Sequence, residues 1–266
     1  MSILFSGDFH ASARVEIDAI YKDILICKYG HKRYKGITYH IILGDGGFMW
    51  PHNNEKDARN YEILAGRHFP ILCVLGNHEP IYGMSNLPET DIGIGETVYK
   101  INDKPFTAYL KRGKVYNIDG IKFLVLGGAL SIDKGRREPK KTWWEQEYWT
   151  EQEKKDVFKL LETDNAFNCV ISHTGPHHIN KMLFEDVWFI SHEKFYDDVA
   201  FLNDKINEKI QFNEWLCGHW HEDEFHFDIE KKRGYQYLYR KTKILEKKDG
   251  KLSVYNGKGP AERQYF

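Results

Sequence analysis

The side chains best suited to chemistry in this 266-residue chain follow five short apolar runs. One group is the stretch Gly76-Asn77-His78-Glu79, which comes directly after the apolar run 71–75. Seven candidates can bind a metal, and His78 stands outside this set: Asp8, His10, Asp45, Asn77, His173, His219 and His221. Oxygen and imidazole ligands suit Mn, Fe, Zn, Ni or Co rather than Ca or a metal that prefers thiolates.

Seven candidate ligands are more than one ion needs, so the set suits two divalent ions that share a carboxylate. Two ions roughly 3.5–4 Å apart can hold the attacking and leaving oxygens of an in-line phosphoryl displacement. The ligand types therefore predict a dinuclear metal site and chemistry on phosphate esters.

Short strands are needed to place these groups. The run 71–75 is too short for a buried helix and indicates a buried strand, and similar runs lie at 3–5 and 39–43. Helical spacing predicts helices at 11–27 and 54–68, which gives a β-α-β-α-β beginning with parallel strands. In such open sheets ligands bind outside the carboxyl ends of the strands, where the candidate ligands lie.

The rest of the chain mixes regular and irregular segments. Residues 81–110 are rich in Gly, Asn, Asp and Pro and are expected to form a long irregular excursion, either a lid or a plain insertion. Residues 177–192 are expected to be irregular too, and residues 222–266 to be antiparallel strands that complete a second sheet. The other predicted elements are a β-hairpin at Asp119-Gly120, a helix at 150–163 with a capping box, a strand at 168–171, a helix at 195–210 and a strand at 215–217.

Composition narrows the class of protein. Hydrophobic residues make up 41% of the chain, enough for a core, and no linker divides it, so a single domain over residues 1–266 is expected. The net charge of -1 does not favour nucleic-acid binding. Neither a signal peptide nor a membrane span is predicted, and the four scattered cysteines are expected to be free thiols, as in a cytoplasmic protein.

Taken together, five blocks in the chain resemble those of the calcineurin-like metallophosphoesterases. The blocks are Asp8-x-His10, Gly44-Asp45, Gly76-Asn77-His78-Glu79, His173 and Gly218-His219-x-His221, in the family's order over residues 7–221. The resemblance implies an α/β fold, a four-layer α/β/β/α sandwich with two mixed β-sheets and a dinuclear metal site at the strand ends.

The resemblance also implies a role for each residue of the blocks. Two divalent ions are expected as cofactors, manganese first among them. The implied ligands are Asp8, His10 and His221 for the first ion, Asn77, His173 and His219 for the second, and Asp45 as the bridge. A metal-bridging hydroxide is the implied nucleophile, and His78 would stabilise or protonate the leaving oxygen. Glu79 would either orient His78 or support the site from behind.

Two departures from the family pattern bear on the substrate. The phosphoprotein phosphatases of this superfamily carry an Asp and an Arg shortly after the second block, whereas this chain has Asp45-Gly46-Gly47-Phe48-Met49. The glycine that follows the histidine of the first block is replaced by Ala11. A different phosphate-binding group is therefore expected, and Arg136 and Arg137 are the candidates, the alternative being a solvated charged loop.

The expected activity is hydrolysis of phosphomonoesters or phosphodiesters, with a phosphodiesterase or nucleotide-directed enzyme favoured. The expected partner is thus a phosphate-ester substrate, with nucleotides as one class. A serine/threonine-type protein phosphatase is one alternative, and a non-catalytic scaffold on the same fold is another. Trp143, Trp144 and Trp149 could form an aromatic wall for a nucleobase, but packing near the helix at 150–163 is the favoured interpretation.

Overall fold

The structure is a computed structural model, and it describes residues 2–8, 37–48, 69–80, 84, 86–103, 106–185, 197–256 and 261–265. The predicted helices at 11–27 and 54–68 lie outside these residues, as does His10.

The larger sheet has nine strands among the described residues. They are β1 (Ser2–Ser6), β2 (Ile37–Ile42), β3 (Ile71–Cys73), β4 (Glu89–Thr90), β5 (Val98–Asp103), β6 (Phe106–Leu110), β13 (Lys243–Lys248), β14 (Lys251–Asn256) and β15 (Ala261–Tyr265). Their order across the sheet is β15-β14-β13-β1-β2-β3-β6-β5-β4. The centre of the sheet, β1-β2-β3-β6, is parallel and its flanks are antiparallel. The predicted parallel beginning of the chain is confirmed.

The second sheet has six strands in the described part of the chain. They are β7 (Lys114–Ile118), β8 (Ile121–Val125), β9 (Cys169–Ile171), β10 (Glu214–Cys217), β11 (Phe225–Asp228) and β12 (Arg233–Tyr237). Their order is β11-β12-β10-β9-β8-β7. Strands β8, β9, β10 and β12 run parallel, and β7 and β11 pair antiparallel at the edges. Both sheets are therefore mixed, as predicted.

Three α-helices are described, and they belong to the second half of the chain. They are α1 (Glu151–Thr163), α2 (His177–Phe184) and α3 (Asp198–Asn207). The predicted capping box of α1 is confirmed, because Thr150 accepts the backbone N–H of Glu153 and Glu153 accepts that of Thr150. This arrangement satisfies two N–H groups that the helix itself leaves unpaired.

The core is organised by the two-residue period of the strands. Ile3 and Phe5 of β1 enter a cluster shared with Ile171 of β9, while Leu4, between them, enters a cluster on the other face of the larger sheet. In the same way Val170 leaves the shared cluster for a third one, which buries the apolar faces of α1, α2 and α3. Successive side chains of a strand point to opposite faces, so the two sheets lie face to face and the helices cover the outer face of the smaller one.

Residues 81–110 correct one prediction. They carry β4, β5 and β6, and β6 pairs in parallel with β3. The expected irregular excursion is instead an extension of the larger sheet. The turn residues of this segment obscure the strands: β5 pairs with its neighbours β4 and β6 without a strong local pattern, and β6 also pairs with the more distant β3.

Two further predictions are corrected. Residues 177–184, expected to be irregular, form α2, which is stabilised by Phe184 stacking on Trp220 with ring centroids 4.8 Å apart. The strands of residues 222–266 do not all complete the second sheet: β11 and β12 join it, whereas β13 pairs with β1 and brings β14 and β15 to the larger sheet. Apolar alternation predicts strands, but it does not identify the sheet that they join.

Candidate functional site

Two buried carboxylates and a buried imidazole converge where β1, β2 and β9 end. The ligand atoms of Asp8, Asp45 and His173 all lie within 4.8 Å of one another. Nε2 of His173 is 3.4 Å from Oδ2 of Asp45 and 3.9 Å from Oδ1 of Asp8. Each of the three follows a strand whose carboxyl end points to the same edge, so strands far apart in sequence build one site.

His173 is oriented by its other ring nitrogen. Nδ1 lies 2.8 Å from the carbonyl oxygen of Leu43, so it carries the proton that the carbonyl accepts, and Nε2 faces the carboxylates. Burial alone would lower the pKa of His173, but the charges of Asp45 and Asp8 outweigh burial and raise it to about 10. The two buried carboxylates therefore favour a positive charge in this pocket.

A divalent cation fits this donor set. The atoms that face one another are carboxylate and imidazole, joined by the amide oxygen of Asn77, whose Oδ1 is 2.9 Å from Nε2 of His173. Oxygen and nitrogen donors of this kind suit Mn, Fe or Zn, and a backbone carbonyl behind a ligating histidine is a common support.

His219 and His221 approach from the turn after β10. The backbone N–H of His219 donates to Oδ2 of Asp8 over 2.8 Å, and Nε2 of His221 lies 3.4 Å from the same oxygen. The ring of His219 is 5.0 Å from that of His173, centroid to centroid. Burial, followed by the charge of His173, holds the pKa of His219 well below its usual value, which favours the neutral imidazole that metals bind.

Three of these residues have strained backbones. Asp45, His219 and His221 have φ values of 49°, 70° and 53°, in the left-handed region that residues with a side chain rarely adopt. Each such residue costs about 1–3 kcal/mol and persists where its surroundings hold it in place, commonly at functional sites. All three are candidate ligands, and four described residues outside the site also have positive φ values: Asp119, Lys140, Lys232 and Asp249.

Glycines on two of the loops leave room for the site. Gly44 has a φ of 91°, and a Cβ there would lie 2.2 Å from Nδ1 of His173. A Cβ on Gly76 would lie 2.1 Å from Oδ1 of Asp45. Both distances are far below van der Waals contact, so these positions need glycine for space, and Gly44 needs it for conformation as well.

Glu79 supports the site from behind. Its carboxylate accepts the backbone N–H groups of Gly76 at 2.6 Å, Gly46 at 2.7 Å and Asp45 at 3.3 Å. These bonds join the loop after β2 to the loop after β3. Burial, together with the charge of Asp45, raises the pKa of Glu79 to about 8. Of the two predicted roles, the geometry matches the supporting one.

His78 lies at the mouth of the pocket with 20% of its side chain exposed. Its backbone N–H donates to Oδ1 of Asp45 over 2.8 Å, and its Nε2 is 3.6 Å from Oδ2 of the same residue. His78 thus contacts Asp45 and also reaches solvent.

Arg137 reaches the site, whereas Arg136 is exposed. Nη2 of Arg137 is 2.6 Å from Nε2 of His78, and its Nε is 2.7 Å from Oδ1 of Asp133. A guanidinium only donates, so Nε2 of His78 is the acceptor. The structure therefore separates two neighbouring arginines that the sequence left equivalent.

Two residues that sequence reasoning missed lie behind Asn77. Its Nδ2 is 2.9 Å from Oγ of Ser131, and that oxygen is 2.5 Å from Oε2 of Glu147. All three residues are buried. Burial raises the pKa of Glu147, and its bonds to Ser131 act in the opposite direction. Ser131 lies 54 positions from Asn77 in the chain, and no local pattern marks it.

The remaining sequence candidates take structural positions. Trp144 and Trp149 are buried, and Nε1 of Trp149 donates to the carbonyl oxygen of Gly127 over 2.7 Å, so packing is the correct interpretation for both. His178 bonds Asp204 of α3 over 2.5 Å. Three cysteines, Cys73, Cys169 and Cys217, are buried free thiols as predicted.

Comparison with known proteins identifies the family of this chain. A family model described as calcineurin-like phosphoesterase matches residues 1–223. A search of curated proteins found no match. Across the described residues, no helix is long and apolar enough to cross a membrane.

Solved structures with the same fold span nearly the whole chain. TT1561 of Thermus thermophilus is 18% identical, with 96% of this chain and 98% of that chain covered and a TM-score of 0.51. Phosphopantetheinyl hydrolase (PptH) from Mycobacterium tuberculosis is 11% identical, with 90% of each chain covered and a TM-score of 0.50. At these identities the likeness concerns the fold alone.

Proposed function

The chain belongs to the calcineurin-like phosphoesterase family and is a hydrolase of phosphoester bonds, and we propose that its preferred substrates are phosphodiesters, with nucleotides as the first class to test. The observation that supports metal-dependent hydrolysis is the buried group of Asp8, Asp45 and His173, whose ligand atoms lie within 4.8 Å of one another, and the preference for diesters rests on the charge of the substrate. His78 stands beside this group at the solvent side.

The side chains that would hold two divalent ions are those that converge at the strand ends. We assign them as Asp8, Asp45, Asn77, His173, His219 and His221, with Asp45 shared, and we add His10 from its sequence block, since it lies outside the described residues. When bound, the ions, of which manganese is the first candidate, activate water at neutral pH and neutralise phosphate charge. Asn77 contributes its amide oxygen, which already faces Nε2 of His173.

His78 and Arg137 divide the work on the substrate. The guanidinium of Arg137 binds the phosphoryl oxygens, and Asp133 holds it in reach through Nε. His78 hydrogen-bonds the leaving oxygen through Nε2, the atom that meets Arg137 at 2.6 Å in the substrate-free protein. Once the guanidinium has turned to the phosphoryl group, Nε2 takes up a proton from solvent and donates it to the leaving oxygen as the ester bond breaks.

Charge favours a diester over a monoester. A phosphodiester carries one negative charge and a phosphomonoester close to two at neutral pH, so a monoester needs more cationic contacts. Within the described residues, Arg137 is the arginine that touches His78. Phe48, fully buried, follows the second block where the phosphoprotein phosphatases of this superfamily carry polar side chains that include the phosphate-binding arginine, which disfavours that alternative.

The test is a hydrolysis screen of metal-stripped protein reconstituted with Mn²⁺. Its substrates are bis(4-nitrophenyl) phosphate, 4-nitrophenyl phosphate, cyclic nucleotides, dinucleoside polyphosphates and a phosphopeptide. We expect diesters to be turned over with the highest kcat/KM. A higher kcat/KM on the phosphopeptide would favour a protein phosphatase. Fewer than about one bound ion per chain, with no hydrolysis of any substrate, would favour a scaffold.

The His78→Ala variant tests the mechanism separately. It should bind metal as the unsubstituted protein does but lose about 10²–10⁴-fold in kcat, as expected for removal of a general acid. The loss should be largest for esters with poor leaving groups, because these need the proton most. An unchanged kcat, or an equal fold-loss on esters with good and poor leaving groups, would exclude the acid role.

A further inference from the structure

The buried chain Asn77–Ser131–Glu147 points beyond the ligands themselves. Asn77 is 3% exposed, Ser131 2% and Glu147 1%. The three residues come from two loops, those that follow β3 and β8. Loop residues seldom bury a carboxylate this deeply without a role for it, because removing a charge from water is costly.

The carboxylate of Glu147 determines which atoms of this chain donate and which accept. A carboxylate only accepts, so the hydroxyl of Ser131 donates to Oε2 of Glu147 at 2.5 Å, and the backbone N–H of Ser131 donates to Oε1 at 3.3 Å. The lone pairs of the Ser131 oxygen are then left to accept, and Nδ2 of Asn77 donates to them over 2.9 Å.

The orientation of the Asn77 amide follows from this chain. With Nδ2 turned towards Ser131, Oδ1 faces the cluster and lies 2.9 Å from Nε2 of His173. The reverse orientation would point an NH₂ group at the cluster, where it could not bind a cation. We propose that Ser131 and Glu147 are positioning residues that hold the Asn77 amide with its oxygen towards the metal site.

This inference rests on the proposed metal site but not on the choice of substrate. Groups that orient a metal ligand typically contribute 10–100-fold in metal affinity or activity. Ser131→Ala should therefore weaken the binding of the weaker Mn²⁺ ion by about tenfold or more, measured by calorimetry. Ser131→Thr keeps the hydroxyl and should restore most of the affinity.

A matched control is available at the end of β1 that lies away from the site. Ser2 donates to Oε1 of Glu246 over the same 2.5 Å, but at the amino end of β1. Ser2→Ala removes an equivalent serine–glutamate bond and should leave Mn²⁺ affinity unchanged. Glu147→Gln is a second variant, because a glutamine can donate to Ser131 and so permits the whole chain of bonds to reverse.

A second readout does not depend on metal or turnover. In metal-free protein the side-chain NH₂ of Asn77 should exchange slowly with solvent, and Ser131→Ala should speed that exchange while Ser2→Ala leaves it unchanged. The proposal is overturned if Ser131→Ala binds Mn²⁺ as tightly as the unsubstituted protein, or if the Asn77 exchange rate is unaffected. Failure of the substrate screen alone would refute the proposed function and leave both of these readouts decisive for Ser131.

Discussion

Arg137 offers the sharpest test of how the site holds phosphate. Its side chain is 10% exposed and is fixed at both ends, by Asp133 at 2.7 Å and by His78 at 2.6 Å. A hydrogen bond to a charged group contributes about 1.5–3 kcal/mol. If Nη2 of Arg137 exchanges His78 for the phosphoryl group during turnover, Arg137→Ala should lower kcat/KM about 10- to 150-fold, since each 1.4 kcal/mol is a factor of ten.

The neighbouring arginine supplies the control. Arg136 is exposed, so Arg136→Ala should change kcat/KM by less than about twofold, the range of ordinary surface substitutions. The assay is steady-state hydrolysis of bis(4-nitrophenyl) phosphate at saturating Mn²⁺, with Mn²⁺ affinity measured in parallel to exclude metal loss. Equal losses in the two variants would mean that general loop charge and not a placed guanidinium matters. An unchanged kcat/KM for Arg137→Ala would refute the clamp.

Two other predictions concern stability. Gly44→Ala places a Cβ 2.2 Å from Nδ1 of His173 at a φ of 91°. The free energy of unfolding, measured in urea, should therefore fall by at least about 2 kcal/mol. Gly135→Ala, whose Cβ would have no atom within 4 Å, should not lower it. Burial raises the pKa of Asp197 from 3.8 to about 6, so the folded state binds the proton more tightly than the unfolded state does. The free energy of unfolding should therefore fall as the pH rises from about 4 to about 6, by up to about 3 kcal/mol. Asp197→Asn keeps an oxygen for the N–H of Val199 and should remove that slope from the unfolding curves, and parallel slopes for the two proteins would contradict the assignment.

The strand ends that carry the candidate ligands were predictable because they depend on short-range signals. Apolar runs such as 71–75 mark strands, and a polar residue at the end of a parallel strand must lie at the shared edge of the sheet. The hairpin at Asp119-Gly120 is equally local, and both residues have positive φ values, 53° and 76°, as such a turn requires. In these cases a few consecutive residues determine the geometry.

The elements that were missed depend on distant partners. Residues 177–184 contain no strong helix pattern, and α2 is stabilised by its contacts: Nδ2 of Asn180 donates to the carbonyl oxygen of Gly175 over 3.1 Å, and Oδ1 accepts from Tyr237 over 2.6 Å. Tyr237 belongs to β12, more than fifty residues away. Tertiary contacts of this kind override weak propensity, and a single sequence does not reveal them.

The loop after β8 shows why the site needed a structure. From the sequence it is a charged stretch in which a solvated surface and a phosphate clamp are both reasonable. The structure separates the two arginines, because Arg136 is exposed while Arg137 contacts His78, and phosphate binding by Arg137 stays a prediction. The same loop sends Ser131 to Asn77, the residue next to His78. Its anchor is Arg112, whose guanidinium donates to the carbonyl oxygens of Gln146 and Tyr148, both at 2.9 Å.

Through these contacts one loop positions two neighbouring side chains, Asn77 and His78. Oδ1 of Asn77 faces Nε2 of His173 and His78 lies at the solvent side of the carboxylates, and each is bonded to a separate residue of the β8 loop. Displacing that loop as a whole would therefore disturb metal binding and phosphate binding together, whereas substituting Ser131 or Arg137 singly separates the two effects. In the proposed site the stretch after β3 supplies the reactive groups, and the loop after β8 holds two of them in position.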